Sequence, residues 1–264
     1  MYSFDYQRAQ SVADAAKTLA SKEEAKLLAG GMTLIPTLKQ RLAKPSDLVD
    51  LGRIAELKGI KRDGNAIVIG AMTRHVDVAT SDVVKGAIPA LAHLAEGIGD
   101  PQVRNRGTIG GSLANNDPAA DYPAAVLGLG ATVITNKRKI AADDFFKGMF
   151  ETALAADEII TAVSFPIPEK AGYSKFPNPA SRYAVVGVLV AKTAGGVRVA
   201  VTGAGAGVFR QKDMETALGK SFTAEAAAAI KQSADGLNTD IHASAEYRAH
   251  LVTVMGKRAV AAAG

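Results

Sequence analysis

Two glycine-rich turns carry the residues of this sequence that are best suited to chemistry. The first, at residues 28–34, reads LAGGMTL, and the second, at residues 106–114, reads RGTIGGSLA. Glycine has no β-carbon, so the backbone N–H groups of such a turn can approach an anion closely where a helix begins. Two turns of this kind can hold a pyrophosphate from both sides. Each turn taken alone is also compatible with an ordinary strand-to-helix connection.

The spacing of these glycines excludes two common nucleotide-binding motifs. Neither turn fits GxGxxG, the Rossmann fingerprint, or GxxxxGK[ST], the P-loop. Asp121 follows the second turn and is the carboxylate best placed to accept hydrogen bonds from ribose or ribityl hydroxyls. The alternative for Asp121 is a carboxylate at the start of a helix, where the helix dipole favours negative charge.

The use of cysteine and histidine limits the redox and metal chemistry of the chain. The sequence has no cysteine, which excludes disulfides, thiolate nucleophiles and cysteine-ligated zinc or iron–sulfur centres. Any iron–sulfur cluster that works with this chain must therefore belong to another chain. The four histidines are far apart in sequence and never form HExxH, so no protein-bound metal is expected.

The distribution of charge argues against a nucleic-acid-binding protein. The net charge is +5, and the basic excess falls in residues 171–264, which carry 11 basic and 6 acidic side chains. The one dense basic run, KRK at residues 137–139, is expected at the tip of a hairpin. With no tryptophan and only 5% aromatic residues, the chain lacks the stacking side chains of a single-strand-binding surface. A basic nucleic-acid-binding module is kept as an alternative.

The length and the apolar pattern indicate a globular protein without a membrane span. A chain of 264 residues suits one large domain and a smaller second one. No apolar run approaches the roughly 18 residues of a span, and the opening MYSFDYQRAQ lacks the regions of a signal peptide. We therefore expect a cytoplasmic protein.

Alternating strands and helices must position the two glycine turns. The patterns predict strands over residues 2–6, 26–29 and 66–71. They predict helices that begin at Ser11, Thr33, Thr73 and Ser81, of which the second reaches Leu42 and the fourth reaches residue 94. The first glycine turn thus lies between a strand and a helix, and the class is mixed α and β.

The later part of the chain predicts a second domain. The runs AVLGLGATVIT at residues 125–135 and IITAVSF at residues 159–165 are typical of buried strands. Pro166 and Pro168 then indicate a domain boundary near residue 170. Beyond it, strands over residues 184–191 and 197–202 are expected to pair, and alanine-rich stretches at 223–230 and 243–254 to form helices.

Longer segments around both turns resemble a known family. The segments, in chain order, are AGGMTLIPTLKQRLAKPSDLVDL, GAMTRHVDVA, IGDPQVRNRGTIGGSLANNDPAADYPAAVLGLGATV and KFPNPASRYAVVGV. Together they resemble the FAD-binding medium subunit of molybdenum hydroxylases, the carbon monoxide dehydrogenase and xanthine dehydrogenase family, over nearly the whole chain. The resemblance implies an α+β fold. Residues 1–170 would form a two-part FAD-binding domain of the vanillyl-alcohol-oxidase (PCMH) type, and residues 171–264 a small C-terminal α/β domain with an antiparallel sheet.

The resemblance also implies a set of residues that bind FAD noncovalently. The two turns would hold the pyrophosphate through backbone amides, Asp121 would bind the ribityl or ribose part, and Ile98 and Ile160 would make apolar contacts. Lys175 and Tyr183 fall in the segment that comes near the isoalloxazine ring in such subunits. The full set is Ala29, Gly30, Gly31, Met32, Thr33, Leu34, Ile98, Thr108, Ile109, Gly110, Gly111, Ser112, Asp121, Ile160, Lys175 and Tyr183. Where many relatives read AGGHSL, this chain has Met32 and Thr33, so it keeps the hydroxyl but lacks the imidazole.

The function that the resemblance implies is electron transfer. A molybdenum cofactor on a large subunit would oxidise the substrate, and [2Fe-2S] clusters on a small subunit would carry single electrons. FAD on this chain would collect them for an external acceptor. The three chains would form a dimer of heterotrimers, that is, a heterohexamer, and this chain would have no catalytic residue of its own. A stand-alone FAD-dependent reductase is the alternative, and it would need an acid or base beside the flavin.

Overall fold

The computed structural model describes residues 1–264 and contains three lobes in chain order. The elements of the first lobe, residues 1–57, are β1 (Asp5–Arg8), α1 (Val12–Ser21), β2 (Lys26–Leu28), α2 (Leu34–Lys39), β3 (Asp47–Asp50) and a 3₁₀ turn (Ala55–Leu57). The strands form a parallel sheet in the order β1-β3-β2. Because parallel strands need crossover connections, α1 and α2 each join one strand to the next. The first glycine turn is the connection between β2 and α2.

An antiparallel sheet forms the centre of the second lobe, residues 58–168. Its strands are β4 (Ile60–Asp63), β5 (Ala66–Gly70), β6 (Thr132–Thr135), β7 (Lys139–Ala141) and β10 (Ile160–Pro166), and β8 (Phe146–Gly148) and β9 (Glu151–Thr152) form a separate hairpin. Its helices are α3 (His75–Thr80), α4 (Asp82–Ala87), α5 (Pro89–Glu96), α6 (Pro101–Arg104), α7 (Ile109–Asn115), α8 (Tyr122–Gly128) and α9 (Ala142–Phe145). The sheet order is β4-β5-β10-β6-β7, with the predicted strand β10 in the middle. The second glycine turn starts α7.

The third lobe, residues 169–264, is a four-stranded antiparallel sheet covered by helices. Its elements are β11 (Lys170–Pro177), β12 (Ala184–Thr193), β13 (Gly196–Thr202), β14 (Phe209–Arg210), α10 (Lys212–Lys220), α11 (Ala224–Ala228) and α12 (Ala245–Ala262). The strands follow one another in the sheet, β11-β12-β13-β14. The predicted hairpin of β12 and β13 and the two predicted helices are therefore confirmed, although the last helix extends well beyond residue 254.

Buried side chains join the second and third lobes into one core. The largest apolar cluster extends from Ile69 and Val163 of the central sheet to Leu189 and Ala200 of the third lobe. Helix α8 lies between them, and a β-carbon on its Gly128 would lie 2.5 Å from the Leu189 side chain. A second cluster lies between the sheet of the third lobe and its helices, where α12 contributes Val252 and Met255. This packing fixes the loops of the third lobe relative to the second.

One predicted strand is wrong over its first half. Residues 122–128 form helix α8, and only residues 132–135 of the predicted run form a strand. Every residue of α8 is buried, so the run has no polar face that could reveal a helical period. Pro123 lies in the first turn of α8, and Gly130, with φ of 64°, separates the helix from β6.

Other predicted boundaries move by a few residues. The first strand covers residues 5–8 rather than 2–6, and the helix from Thr33 ends at Lys39, before Arg41 adopts a φ of 59°. The helix predicted from Ser81 to residue 94 is two helices, because Pro89 starts a new one. The helix predicted from Thr73 starts at His75, and the Thr73 hydroxyl instead donates to the Gly59 carbonyl at 3.1 Å.

Candidate functional site

A cavity of about 500 Å³ lies where the three lobes meet. Both glycine turns line it, and residues 181–183 of the loop between β11 and β12 complete its wall. Ligand pockets measure about 300 to 1,000 Å³, so this cavity can hold a small molecule. Fourteen of the sixteen predicted residues line it, namely Ala29, Gly30, Gly31, Met32, Thr33, Leu34, Ile98, Thr108, Gly110, Gly111, Ser112, Asp121, Ile160 and Tyr183. The exceptions are Ile109 and Lys175.

The first glycine turn presents unpaired backbone donors along the cavity. None of the six consecutive N–H groups from Ala29 to Leu34 donates a hydrogen bond to an acceptor in the chain. Gly31 has a φ of 75°, which favours glycine, and a β-carbon on Gly30 would collide with the carbonyl oxygen of Arg106. Successive free amides at the start of a helix are a binding site for an anion such as a phosphate.

The second glycine turn offers fewer backbone donors than the sequence predicted. The N–H of Ile109 donates to the Thr73 carbonyl at 3.1 Å, and that of Gly110 to the Ala71 carbonyl at 2.8 Å. The N–H of Gly111 donates to Thr108 Oγ1 at 3.2 Å, because Thr108 caps helix α7. Only the Thr108 N–H lacks an acceptor. The second turn therefore contributes its open backbone and the hydroxyl of Ser112 rather than a row of amides.

Ile109 is corrected as a candidate for direct contact with a ligand. Its side chain is fully buried in the core of the second lobe, and its N–H is already bonded to the chain. Its neighbours Thr108 and Gly110 line the cavity. The Ile109 side chain points away from it, because successive residues at the start of a helix point in different directions.

A buried ion pair lies behind the cavity wall. Asp121 is 4% exposed, and its carboxylate accepts hydrogen bonds from the Tyr173 hydroxyl and from Lys175 Nζ, the latter at 3.1 Å. Lys175 Nζ also donates to the carbonyls of Gly97 at 2.8 Å and Arg182 at 2.9 Å. Burial raises the pKa of Asp121 above its usual range, and the ammonium of Lys175 opposes that shift. Lys175 thus does not line the cavity; it holds Asp121 and the loop of the third lobe in place.

Asp121 also starts helix α8, which was the alternative for this residue. Its side chain makes no capping hydrogen bond to that helix. The carboxylate is directed to Tyr173 and Lys175 instead, so the position at the helix start does not explain its contacts.

The two family models that match the chain divide it into two consecutive parts. The model described as FAD binding domain in molybdopterin dehydrogenase matches residues 2–168. The chain belongs to this family. The model described as CO dehydrogenase flavoprotein C-terminal domain matches residues 171–263.

Relatives within the family match along nearly their whole length. The chain is 38% identical to the nicotine 6-hydroxylase medium subunit of Paenarthrobacter nicotinovorans, over 98% of this chain and 96% of the relative. It is 36% identical to the carbon monoxide dehydrogenase medium chain of Hydrogenophaga pseudoflava, again over 98% and 96%. A structure of reconstituted CO dehydrogenase from Oligotropha carboxidovorans matches with a TM-score of 0.92 at 34% identity, covering 99% of this chain and 98% of that one.

These similarities confirm the predicted family and fold. The chain is an FAD-binding medium subunit of the molybdenum hydroxylase type, with a PCMH-type FAD domain followed by a domain with an antiparallel sheet. Its homologues are subunits of oxidoreductases. The unpaired amides of the first turn are chemically suited to a pyrophosphate such as that of FAD, and Ile98 and Ile160 add apolar surface to the same cavity.

The mouth of the FAD cavity is formed by side chains from two lobes. Met32 is 38% exposed and Tyr183 is 43% exposed, and both line the cavity. Burial raises the pKa of the Tyr183 phenol, and the nearby carboxylate of Asp117 raises it further. Met32 contributes a free N–H like its neighbours.

His75 lines the cavity although it was not among the predicted site residues. His75 starts α3, lines the cavity and is 5% exposed. Its Nδ1 atom is buried without a hydrogen-bond partner. Burial, with a smaller effect of the Arg104 guanidinium, lowers the pKa of His75 to about 4. No spacing rule marks a lone histidine, because the residues around it come together only in the folded chain.

No three His, Asp or Glu side chains are grouped so that they could hold a metal ion. None of the helices combines the length and the apolar character needed to cross a bilayer.

Proposed function

We propose that this chain holds FAD noncovalently and passes electrons from the iron–sulfur clusters of a partner subunit to an external acceptor. The observation that carries the proposal is the row of six free amides from Ala29 to Leu34 beside a cavity lined by both glycine turns. Bound FAD supplies the capacity to exchange electrons singly or in pairs. The protein contributes binding, orientation and control of access.

Each part of the cavity suits one part of the cofactor. The amides of the first turn would bind the pyrophosphate, with the Thr108 N–H and the Ser112 hydroxyl on the opposite side. Asp121 would accept from ribityl or ribose hydroxyls, held for this by Tyr173 and Lys175. Tyr183 would lie near the isoalloxazine ring at the mouth of the cavity. Burial in such a cavity keeps water away and strengthens these polar contacts.

The proposed partners are those that the family resemblance implies, a small subunit with the [2Fe-2S] clusters and a large subunit with the molybdenum cofactor. The absence of cysteine from this chain is consistent with clusters held elsewhere. The medium-subunit relatives support such an assembly. We infer a dimer of heterotrimers in which substrate specificity belongs to the large subunit.

We also propose the boundaries and roles of two domains within the chain. Residues 1–170 would form the FAD-binding domain and residues 171–264 the C-terminal domain, in agreement with the ranges of the two family models. Lys175 and Tyr173 would make the C-terminal domain necessary for the FAD site, because both contact Asp121 across the boundary.

Native purification tests the proposed assembly. The chain, tagged and expressed in its own host, is expected to copurify with two other chains and to contain FAD, iron and molybdenum in the whole complex. Chemical analysis and light scattering of that complex give its composition and size. A colourless monomer, or a yellow monomer that oxidises substrate without partners, would contradict the proposal.

A further inference from the structure

His75 is the one unpartnered buried side chain that reaches the FAD cavity. Three buried polar side-chain atoms have no hydrogen-bond partner, namely His75 Nδ1, Tyr122 Oη and Arg248 Nε. Of these three residues only His75 lines the cavity. Buried polar groups are normally paired, so the unpaired Nδ1 restricts the protonation state that this ring can adopt.

The imidazole ring is fixed against the second glycine turn. The His75 backbone N–H donates to the Gly107 carbonyl at 3.0 Å, and a β-carbon on Gly107 would collide with Nε2 of the ring. Gly107 itself lines the cavity. On its other side the ring packs on Tyr122, with 5.3 Å between ring centroids. The absence of a side chain at residue 107 therefore makes room for this ring beside Thr108.

The surroundings determine which ring nitrogen carries the proton. His75 is neutral at physiological pH, since burial and Arg104 both disfavour its charged form. A neutral imidazole has one N–H donor and one acceptor nitrogen. A proton on buried Nδ1 would be a donor without an acceptor, which is costly. Nε2 lies against Gly107, which lines the cavity, and it is not among the fully buried unpaired atoms, so a proton there can be donated to a ligand.

We propose that His75 is a further FAD-binding residue, whose Nε2–H donates to an oxygen of the cofactor next to the second glycine turn. The inference rests on the proposed function, since it assumes that FAD occupies this cavity. It adds a side-chain donor on the side of the cavity where the amides of Ile109, Gly110 and Gly111 are already engaged. The acceptor belongs to the pyrophosphate or to the adjoining ribityl chain.

The test compares FAD binding and stability of the full-length apoprotein in matched variants. His75→Phe keeps a ring against Tyr122 but removes the donor, and we expect FAD affinity to fall about tenfold, equivalent to about 1.4 kcal/mol. His75→Gln restores an N–H donor and should recover part of that loss. Tyr122→Phe removes the neighbouring unpaired hydroxyl, which does not line the cavity, and should leave FAD affinity unchanged.

The melting temperature of the apoprotein separates binding from packing. Because His75→Phe removes a buried nitrogen without a partner, the apoprotein variant should melt at or above the temperature of the parent. Parent-like FAD affinity in His75→Phe would overturn the inference while leaving the proposed function intact. Equal losses of FAD affinity in His75→Phe and Tyr122→Phe would also overturn the inference. They would show that altered packing around the two rings, and not a lost hydrogen bond from His75, weakens FAD binding. A parent apoprotein that does not bind FAD would overturn both proposals.

Nitrogen NMR of the parent protein tests the inference without any substitution. We expect the His75 ring to be protonated at Nε2 in the apoprotein and its Nε2 resonance to shift when FAD is added. A ring protonated at Nδ1, or a resonance that FAD leaves unchanged, would contradict the inference even if the variants failed to fold.

Discussion

At the scale of single residues, Asp121 shows what sequence can and cannot predict. Its position after the second glycine turn marks it as a candidate acceptor, and it lines the cavity. Its contacts with Tyr173 and Lys175 span 52 and 54 residues of sequence and depend on where β11 lies. No local pattern encodes such a distance, and the same holds for His75 against Gly107. The candidate residues were accessible from sequence, but their partners were not.

Replacing Asp121 with Ala should destabilise the protein as well as weaken FAD binding. The substitution leaves the Lys175 ammonium buried without its counter-ion, and such losses cost on the order of 3 kcal/mol in the free energy of unfolding. The double variant Asp121→Ala/Lys175→Met removes the unpaired charge and should recover part of the stability. Urea unfolding of the apoproteins measures the loss of stability in Asp121→Ala and its recovery in the double variant. A variant at an exposed aspartate, Asp144→Ala, is the control. If Asp121→Ala unfolded like that control, the buried pair would have no structural role.

The depressed pKa of His75 predicts a pH dependence of stability. The folded protein binds the proton with a pKa of about 4, whereas unfolded histidine has an ordinary pKa near 6.5. Between these values the unfolded chain binds more protons, so the free energy of unfolding should fall as the pH drops from about 6.5 to about 4, by up to about 3 kcal/mol. Above this range His75 has no effect.

The variant His75→Phe isolates that contribution from other titrating groups. Denaturant unfolding of parent and variant at several pH values gives the difference in their pH profiles. The variant should lose less stability than the parent between pH values of about 6.5 and 4. Parallel profiles would show that His75 titrates normally in the folded protein.

At the scale of elements, glycine turns were easier to predict than buried segments. The strand–turn–helix arrangement of β2 and α2 is encoded by a local apolar run, two glycines and an apolar period of four. Helix α8 was mistaken for a strand because all its residues are buried and its run has no polar face. The engaged amides of Ile109 and Gly110 were also hidden, since their acceptors, the Thr73 and Ala71 carbonyls, lie far back in the sequence.

Replacing one glycine in each turn with valine should affect the protein in two different ways. A β-carbon on Gly30 meets the Arg106 backbone, so Gly30→Val should lower the melting temperature of the apoprotein. A β-carbon on Gly111 meets Thr108 Oγ1 at 3.0 Å and Ala29 Cβ at 3.5 Å, between the two turns. Gly111→Val should therefore give a folded protein without FAD. Flavin absorbance and thermal melting measure the two effects, and normal flavin content in Gly111→Val would refute this assignment of the site.

At the scale of the whole molecule, several basic side chains of the third lobe and of the hairpin loop pair with acids of the same chain. Arg198 and Arg210 of the third lobe both pair with Asp143, and Arg248 is buried and pairs with Asp240. In the hairpin loop at residues 137–139, Lys137 pairs with Asp157 and Arg138 with Glu158. The family was predicted from the resemblance along the whole sequence. Composition alone could only exclude other classes of protein.

The reduction of bound FAD with and without partners tests the central claim most directly. Under anaerobic conditions, flavin absorbance is recorded for the isolated chain and for the natively purified complex while carbon monoxide, an aldehyde, a purine or another heterocycle is added. We predict that one of these substrates bleaches the flavin of the complex and that none bleaches the flavin of the isolated chain. Bleaching by the same substrate in the isolated chain would contradict the claim, because this chain would then oxidise the substrate itself.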